Sequence, residues 1–190
     1  MSVPPLGLDG SFEADYDVVR LVDTPSALSY QFHQPGAVPR PDLLLEVTRP
    51  DGNSWTGGVR AGGPSVGSPH TGIHATPARD RTLLVARGDA YLIDVGKPAL
   101  YEVVTTGGPV VGVKPIAREN VLLLATPWTV TGIGRDGVLW TTRRLAIDGL
   151  RLDESRDGLV AGVADPHDLE PRDFVIDLRT GSHEGGTPFP

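Results

Sequence analysis

Apolar and polar residues alternate with a period of two in many short segments of this chain. In Leu43–Val47, for example, the first, third and fifth residues are apolar. Such alternation places one face of an extended strand in a core and the other towards solvent. The pattern predicts thirteen strands: Tyr16–Val22, Leu28–His33, Leu43–Thr48, Gly72–Thr76, Thr82–Arg87, Ala90–Val95, Leu100–Thr105, Val110–Ile116, Asn120–Thr126, Thr129–Ile133, Val138–Arg143, Leu159–Val163 and Phe174–Leu178.

Helical periodicity is weak throughout the chain. The best candidate is Thr24–Leu28, where Pro25 fits a first helical position, but the residues that follow alternate with period two and favour a turn and a strand. Asp51-Gly52 and Asp136-Gly137 are typical of tight turns. Because no segment is suited to a crossover helix, the expected fold class is all-β, built from antiparallel meanders.

Three five-residue runs share apolar residues at positions one, three and five and an acid at position four. They are Leu43–Val47, Tyr91–Val95 and Phe174–Leu178, with a weaker copy at Thr129–Ile133. Longer alignments, such as Gly72 with Gly112, give offsets near 40 residues (112 − 72 = 40). A repeat of this length is typical of propeller blades, although a β-sandwich or barrel has the same strand pattern.

Two segments of the chain resemble known proteins. Thr131–Trp140 resembles the strand–turn–strand unit of quinoprotein-type and WD-type propeller repeats, without their full signatures. The last third of the chain, around Phe174–Gly186, is similar to uncharacterised proteins of bacteria and plants. This second resemblance implies a shared fold and offers no catalytic residues.

Composition narrows the class of protein further. The 190 residues are 39% hydrophobic, which suits one β domain over residues 1–190, with flexible ends expected at 1–14 and 186–190. The absence of cysteine excludes disulfides and thiolate sites and favours a reducing, cytoplasmic location. The net charge of −7 and the short apolar runs predict no nucleic-acid partner and no membrane association.

Three loop segments contain residues that could perform chemistry. Gly63–Gly67 matches the G-x-S-x-G pattern of serine hydrolases, but its flanks lack the strand and helix that the pattern requires. His70 and His74 would stand roughly 13 Å apart in an extended strand, so they could share a metal only across a bend. A hydrogen-bonded loop histidine is the favoured interpretation of each, and no metal site is predicted.

The densest polar cluster is Asp165-Pro166-His167-Asp168, followed by Glu170. It could bind a cation or perform acid–base chemistry, but it lacks the calcium-loop pattern, and an exposed Asp-Pro turn is the favoured interpretation. The recurring acids Glu46, Asp94 and Asp177 are expected on a solvated face or bound to turn amides.

The three tryptophans, Trp55, Trp128 and Trp140, are expected in the core or on a sheet face. Trp128 follows Pro127 at a strand start and is the one expected to be partly exposed, where it could anchor a ligand.

The favoured hypothesis is a non-enzymatic β scaffold that binds a protein or a small ligand through its loops. The candidate ligand-binding residues are His70, His74, Trp128, Asp165, His167 and Asp168, and no cofactor is expected. The alternative is a hydrolase or lyase that combines His70 or His74 with Asp165 or Asp168. A purely structural subunit is a third hypothesis, and the sequence does not define the oligomeric state.

Overall fold

The computed structural model describes residues 8, 10–34, 36, 40–62, 68–168 and 170–188. Within these residues the chain forms sixteen strands and one three-residue 3₁₀ turn, Ala117–Glu119. The strands are β1 Asp17–Arg20, β2 Tyr30–Phe32, β3 Leu43–Thr48, β4 Ser54–Val59, β5 Gly72–Ala75, β6 Arg81–Ala86, β7 Asp89–Asp94, β8 Glu102–Val104, β9 Gly112–Ile116, β10 Val121–Ala125, β11 Val130–Gly134, β12 Gly137–Thr141, β13 Leu150–Arg156, β14 Leu159–Ala164, β15 Arg172–Asp177 and β16 His183–Gly185.

The strands form four four-stranded sheets, which we name A to D in chain order. Sheets B (β5-β6-β7-β8), C (β9-β10-β11-β12) and D (β13-β14-β15-β16) are antiparallel meanders. Their first strands begin at Gly72, Gly112 and Leu150, so they repeat after 40 and 38 residues (112 − 72, 150 − 112). The all-β class and the propeller-like succession of roughly 40-residue meanders are confirmed.

Sheet A departs from the meander pattern. Its order is β1-β3-β4-β2, and β2 pairs with β4 in parallel. The long connection before β2 allows this pairing. The backbone N–H of Ser29, just before β2, donates to the Thr56 hydroxyl in β4, and the backbone N–H of Thr56 donates to the Ser29 hydroxyl, which holds β2 beside β4.

The chain divides into two compact units, residues 1–104 with sheets A and B and residues 105–190 with sheets C and D. The sequence-based expectation of a single domain over residues 1–190, with flexible ends, stays a prediction. In the described part of the chain, no helix has the length and apolar character that a membrane crossing requires.

All thirteen predicted strands are present, and three further strands, β4, β13 and β16, lacked a recognisable pattern. The middle of β4 is Gly57-Gly58, which gives no β-forming signal. A Cβ on Gly57 would lie 2.9 Å from the Phe32 ring, and one on Gly58 would lie 2.7 Å from Leu28. Glycine is therefore present in β4 because bulky side chains of other segments cover its backbone.

Each unit has its own hydrophobic core between its two sheets. In residues 1–104, Leu45 and Trp55 of sheet A pack with Leu84 and Tyr91 of sheet B. In the second unit the core between sheets C and D contains these buried residues: Ile116, Val121, Leu123, Val130, Leu145, Ala146, Val160, Ala164, Phe174, Ile176 and Leu178. The burial of apolar side chains between the two sheets is the main stabilising contribution in each unit.

A tryptophan connects the two sheets of each unit in the same way. The indole Nε1 of Trp55 in β4 donates to the carbonyl of Val95, just after β7, at 3.1 Å. The indole Nε1 of Trp140 in β12 donates to the carbonyl of Leu178, just after β15, at 2.9 Å. Val95 and Leu178 both occupy position five of the recurring run, so the repeat seen in the sequence is also a repeat of contacts between sheets.

The acids of the recurring run lie on the more exposed face of their strands, as the alternation predicts. Two of them organise the next turn. Asp94 accepts hydrogen bonds from the amides of Gly96 and Lys97, and Asp177 accepts them from the amides of Arg179 and Thr180. These hydrogen bonds lower the pKa of Asp177, with the Thr180 amide the largest cause.

Candidate functional site

His70 and His74 meet at the beginning of sheet B. Their Nε2 atoms are 2.8 Å apart, and their ring centroids are 5.0 Å apart with the planes tilted by 36°. Gly72 makes the contact possible because a Cβ there would lie 2.8 Å from both Nε2 atoms. The two side chains therefore meet over the space that Gly72 leaves open, where an ideal extended strand predicts separated rings.

Both imidazoles of this pair are half-buried. Burial lowers the pKa of His70, and the neighbouring His74 lowers it further, since two adjacent imidazolium ions would repel each other. His70 is therefore neutral at pH 7. In the contact between the two rings, one Nε2 carries a proton and donates it to the lone pair of the other.

Trp128 lies on the surface of the second unit and is half-buried, as expected from the sequence. Its Nε1 donates to the carbonyl of Ile147 at 3.1 Å, and the guanidinium of Arg144 lies 5.8 Å from the ring centroid. The side chain of Ile147 is 58% exposed beside it. We call the group of Trp128, Arg144 and Ile147 the Trp128 surface.

Asp165 directly follows β14 and is 5% exposed. Its carboxylate accepts hydrogen bonds from the amides of Ile147, at 2.8 Å, and Asp148, and from the hydroxyl of Thr187. Burial alone would raise the pKa of this carboxyl, but these hydrogen bonds and the charge of Arg144 outweigh burial and lower the pKa. The chain's own donors thus contact both oxygens of the Asp165 carboxylate.

Ile147 connects two of the residues singled out by the sequence. Its carbonyl accepts from the Trp128 indole, and its amide donates to Asp165. The segment between sheets C and D is thereby held to the loops that follow β10 and β14. The buried carboxylate of Asp165 fixes the backbone that presents the Trp128 surface.

The other predicted residues divide between the two units. His167 and Asp168 are exposed on the loop after Asp165. His70 and His74 belong to residues 1–104, whereas Asp165 and Asp168 belong to residues 105–190. A catalytic group of these four residues stays a prediction. The Gly63–Gly67 segment lies outside the described residues.

A cleft of about 600 Å³ lies among the hairpin turns of the second unit. We call it the hairpin cleft. It combines both signs of charge with apolar side chains, and none of the six residues singled out by the sequence lines it. Its lining residues are Glu119, Asn120, Val121, Gly134, Arg135, Leu139, Asp157, Gly158, Leu159, Asp177, Leu178 and Arg179.

Sequence reasoning did not identify several residues that shape these sites. Arg144 and Ile147 come from an irregular connection with no strand pattern, so no local signal marks them. Gly72 could have been found, because a glycine between two nearby histidines leaves space for their rings. Thr187 lies in the C-terminal segment that was expected to be flexible, yet it donates a hydrogen bond to Asp165.

Comparisons with known proteins give little more. The sequence matches no protein-family model and no curated protein. A solved structure with a similar backbone is the dihydro-heme d1 dehydrogenase NirN in complex with DHE, at 15% sequence identity and a TM-score of 0.49. The match covers 100% of this chain and 45% of that chain, so this chain spans less than half of NirN's length. These comparisons therefore assign no function to this chain.

Proposed function

We propose that this chain is a non-enzymatic binding scaffold whose protein partner contacts the Trp128 surface. The observation that carries the proposal is the half-exposed Trp128 indole, held in a fixed orientation by Ile147 and covered in part by Arg144. Tryptophan and arginine are enriched among residues that dominate protein–protein affinity. The exposed Ile147 side chain enlarges the apolar area beside them.

Rigidity supports a role in binding. Trp128 cannot turn freely because its ring lies against Gly108, where a Cβ would come within 2.6 Å. The backbone on its other side is fixed by the Asp165 carboxylate. A side chain that is already ordered loses little entropy when a partner covers it, so more of the contact energy appears as affinity.

The similarity of the last third of the chain to uncharacterised bacterial and plant proteins adds a shared fold and no activity. The rival hydrolase or lyase would use Asp165 or Asp168, and in the first case the Asp165 carboxylate would have to act on a substrate. That carboxylate is buried and already accepts three hydrogen bonds from the chain. The Trp128 surface therefore supports binding better than Asp165 supports catalysis.

The test replaces Ile147 by a photo-crosslinking amino acid in cells that express the full chain. We expect one partner to be crosslinked at position 147, and Trp128→Ala to weaken its binding by about 2 kcal/mol, or roughly thirtyfold. Binding is then measured by calorimetry with the purified partner. Leu100→Ala is the matched control, since Leu100 is 75% exposed in the other unit.

The outcomes separate clearly. Loss of binding in Trp128→Ala with unchanged binding in Leu100→Ala supports the proposal. Equal binding by wild type and Trp128→Ala would refute it. It would also be refuted if the photo-crosslinking amino acid, placed at position 100 instead of 147, captured the same proteins. Circular dichroism of each variant shows that any loss of binding is not a loss of fold.

A small ligand in the hairpin cleft is a second candidate function. Its volume of about 600 Å³ lies within the usual range of ligand pockets, and Arg135 and Arg179 suit an anionic group. We expect a thermal-shift screen of anionic metabolites to give a stabilising compound whose effect is lost in Arg135→Ala. The effect should persist in Arg118→Ala, an arginine outside the lining. A shift retained in Arg135→Ala would exclude this cleft as the site.

A further inference from the structure

The structure brings two imidazole nitrogens together in the first unit, apart from the residues used above. Imidazole nitrogen is a ligand for divalent copper, nickel and zinc. From the geometry of the His70–His74 pair we infer that this pair is a bidentate site for a divalent transition-metal ion with tetragonal coordination, of which Cu²⁺ is the probe.

The separation of the two Nε2 atoms carries this inference. With metal–nitrogen bonds of about 2.0 Å, two ligands at 90° around an ion stand about 2.8 Å apart, whereas two at a tetrahedral angle stand about 3.3 Å apart. The observed separation is 2.8 Å. The pair therefore fits neighbouring positions of a tetragonal ion, the geometry that Cu²⁺ and Ni²⁺ adopt with nitrogen and oxygen ligands.

Binding requires a change in proton position and a small change in side-chain orientation. The Nε2 proton of the donating histidine moves to the Nδ1 of the same ring, so both Nε2 lone pairs become available. The two Nε2 atoms now point at each other, with the ring planes tilted by 36°, and both rings turn so that the two lone pairs point at one ion. The half-buried setting leaves an approach from solvent.

The protein supplies two ligands, and water supplies the others. Among the described residues no group of three or more His, Asp and Glu side chains is arranged to hold a metal. Both imidazoles are therefore needed for chelation, because the second ligand binds at the high effective concentration that the first creates. Removal of either should weaken binding far more than removal of an exposed histidine.

Gly72 provides a test that leaves both ligands in place. Its backbone is outside the positive-φ region, so alanine is allowed there. The added Cβ would lie 2.8 Å from each Nε2 and would push the two rings apart. Gly72→Ala should therefore weaken the metal site while both imidazoles remain, which a surface histidine acting alone would not do.

The experiment titrates the full chain with Cu²⁺ in a calorimeter, with glycine as a competing chelator. We expect one equivalent to bind and the affinity to fall at least about tenfold in His70→Ala, His74→Ala and Gly72→Ala. His33→Ala and His167→Ala are matched controls at exposed histidines and should bind as wild type does. The electron paramagnetic resonance spectrum should show two coupled nitrogens in wild type and one in His74→Ala.

Unchanged binding in His70→Ala, in His74→Ala or in a folded Gly72→Ala would overturn the inference and show only an adventitious ion. Equal weakening by His33→Ala or His167→Ala would do the same. If an alanine variant does not fold, His70→Gln and His74→Gln keep a side chain that can form hydrogen bonds but remove the imidazole lone pair. They are expected to show the same loss.

Discussion

Trp140→Ala is expected to lower the free energy of unfolding of the second unit by about 3 kcal/mol, because it removes a large side chain that joins sheets C and D. The ring lies against Gly132 in its own sheet and Gly181 in the turn between β15 and β16 of sheet D. Its Nε1 donates to the Leu178 carbonyl at 2.9 Å. The measurement is urea unfolding followed by circular dichroism.

Trp140→Phe is the matched control, since it keeps one aromatic ring and removes the indole N–H together with the second ring. We expect it to cost about 1.5 kcal/mol, because part of the packing is lost as well as one hydrogen bond, and thus less than Trp140→Ala. A free energy of unfolding for Trp140→Ala within about 0.5 kcal/mol of wild type would show that the ring lies on the surface without stabilising the contact between sheets C and D.

A second variant identifies the partner of the Trp140 ring. Gly181 has φ +71°, and a Cβ there would come within 2.5 Å of the indole. Gly181→Ala is therefore destabilising through both its backbone and the ring. In the Trp140→Ala background only the backbone contribution remains, so the cost of Gly181→Ala should be smaller there. Equal costs in both backgrounds would contradict the packing of the ring on Gly181.

The fold was largely predictable because hydrophobic alternation reports burial directly. Leu43, Leu45 and Val47 are nearly inaccessible, as the period of two requires. The alternation of apolar and polar residues does not reveal a strand whose sequence is mostly charged. In β13 the sequence is mostly charged, and its pairing with β14 shifts register between Leu152 and Ser155.

The candidate sites were less predictable because they depend on contacts between distant segments. The sequence singled out Trp128 and its partial exposure, but Arg144 and Ile147 reach it from the connection between sheets C and D. The spacing of His70 and His74 suggested separated rings. Their contact depends on the direction of the two side chains and on the absence of a side chain at Gly72, which strand geometry alone does not describe.

Asp165→Ala is expected to lower the free energy of unfolding by about 3 kcal/mol at pH 7, since it leaves buried donors without their acceptor. The amides of Ile147 and Asp148 and the hydroxyl of Thr187 all lose their partner. Asp165 also has φ +51°, a conformation that alanine adopts at a cost.

Asp165→Asn is the matched control for Asp165→Ala. Asparagine tolerates the left-handed backbone, and its side-chain oxygen can still accept from the amides of Ile147 and Asp148. The charge is lost, and the amide nitrogen that replaces the second carboxylate oxygen no longer accepts from the Thr187 hydroxyl, so we expect a cost of about 1 kcal/mol at pH 7, smaller than that of alanine. Equal stability of the alanine and asparagine variants would show that these hydrogen bonds do not hold the loop.

The pH dependence of the Asp165→Asn variant tests the charge itself. The folded-state pKa of Asp165 lies below its ordinary value of 3.8, so the unfolded chain takes up the proton first as the pH falls. The stabilisation from the carboxylate is complete well above pH 3.8 and is lost as the pH falls through the folded-state pKa. The difference in free energy of unfolding between wild type and Asp165→Asn, measured in urea from pH 7 to pH 3, should therefore be constant above about pH 5 and shrink below pH 4. A difference that stays constant down to pH 3 would mean that the charge of Asp165 does not stabilise the loop that carries Ile147 and the Trp128 surface.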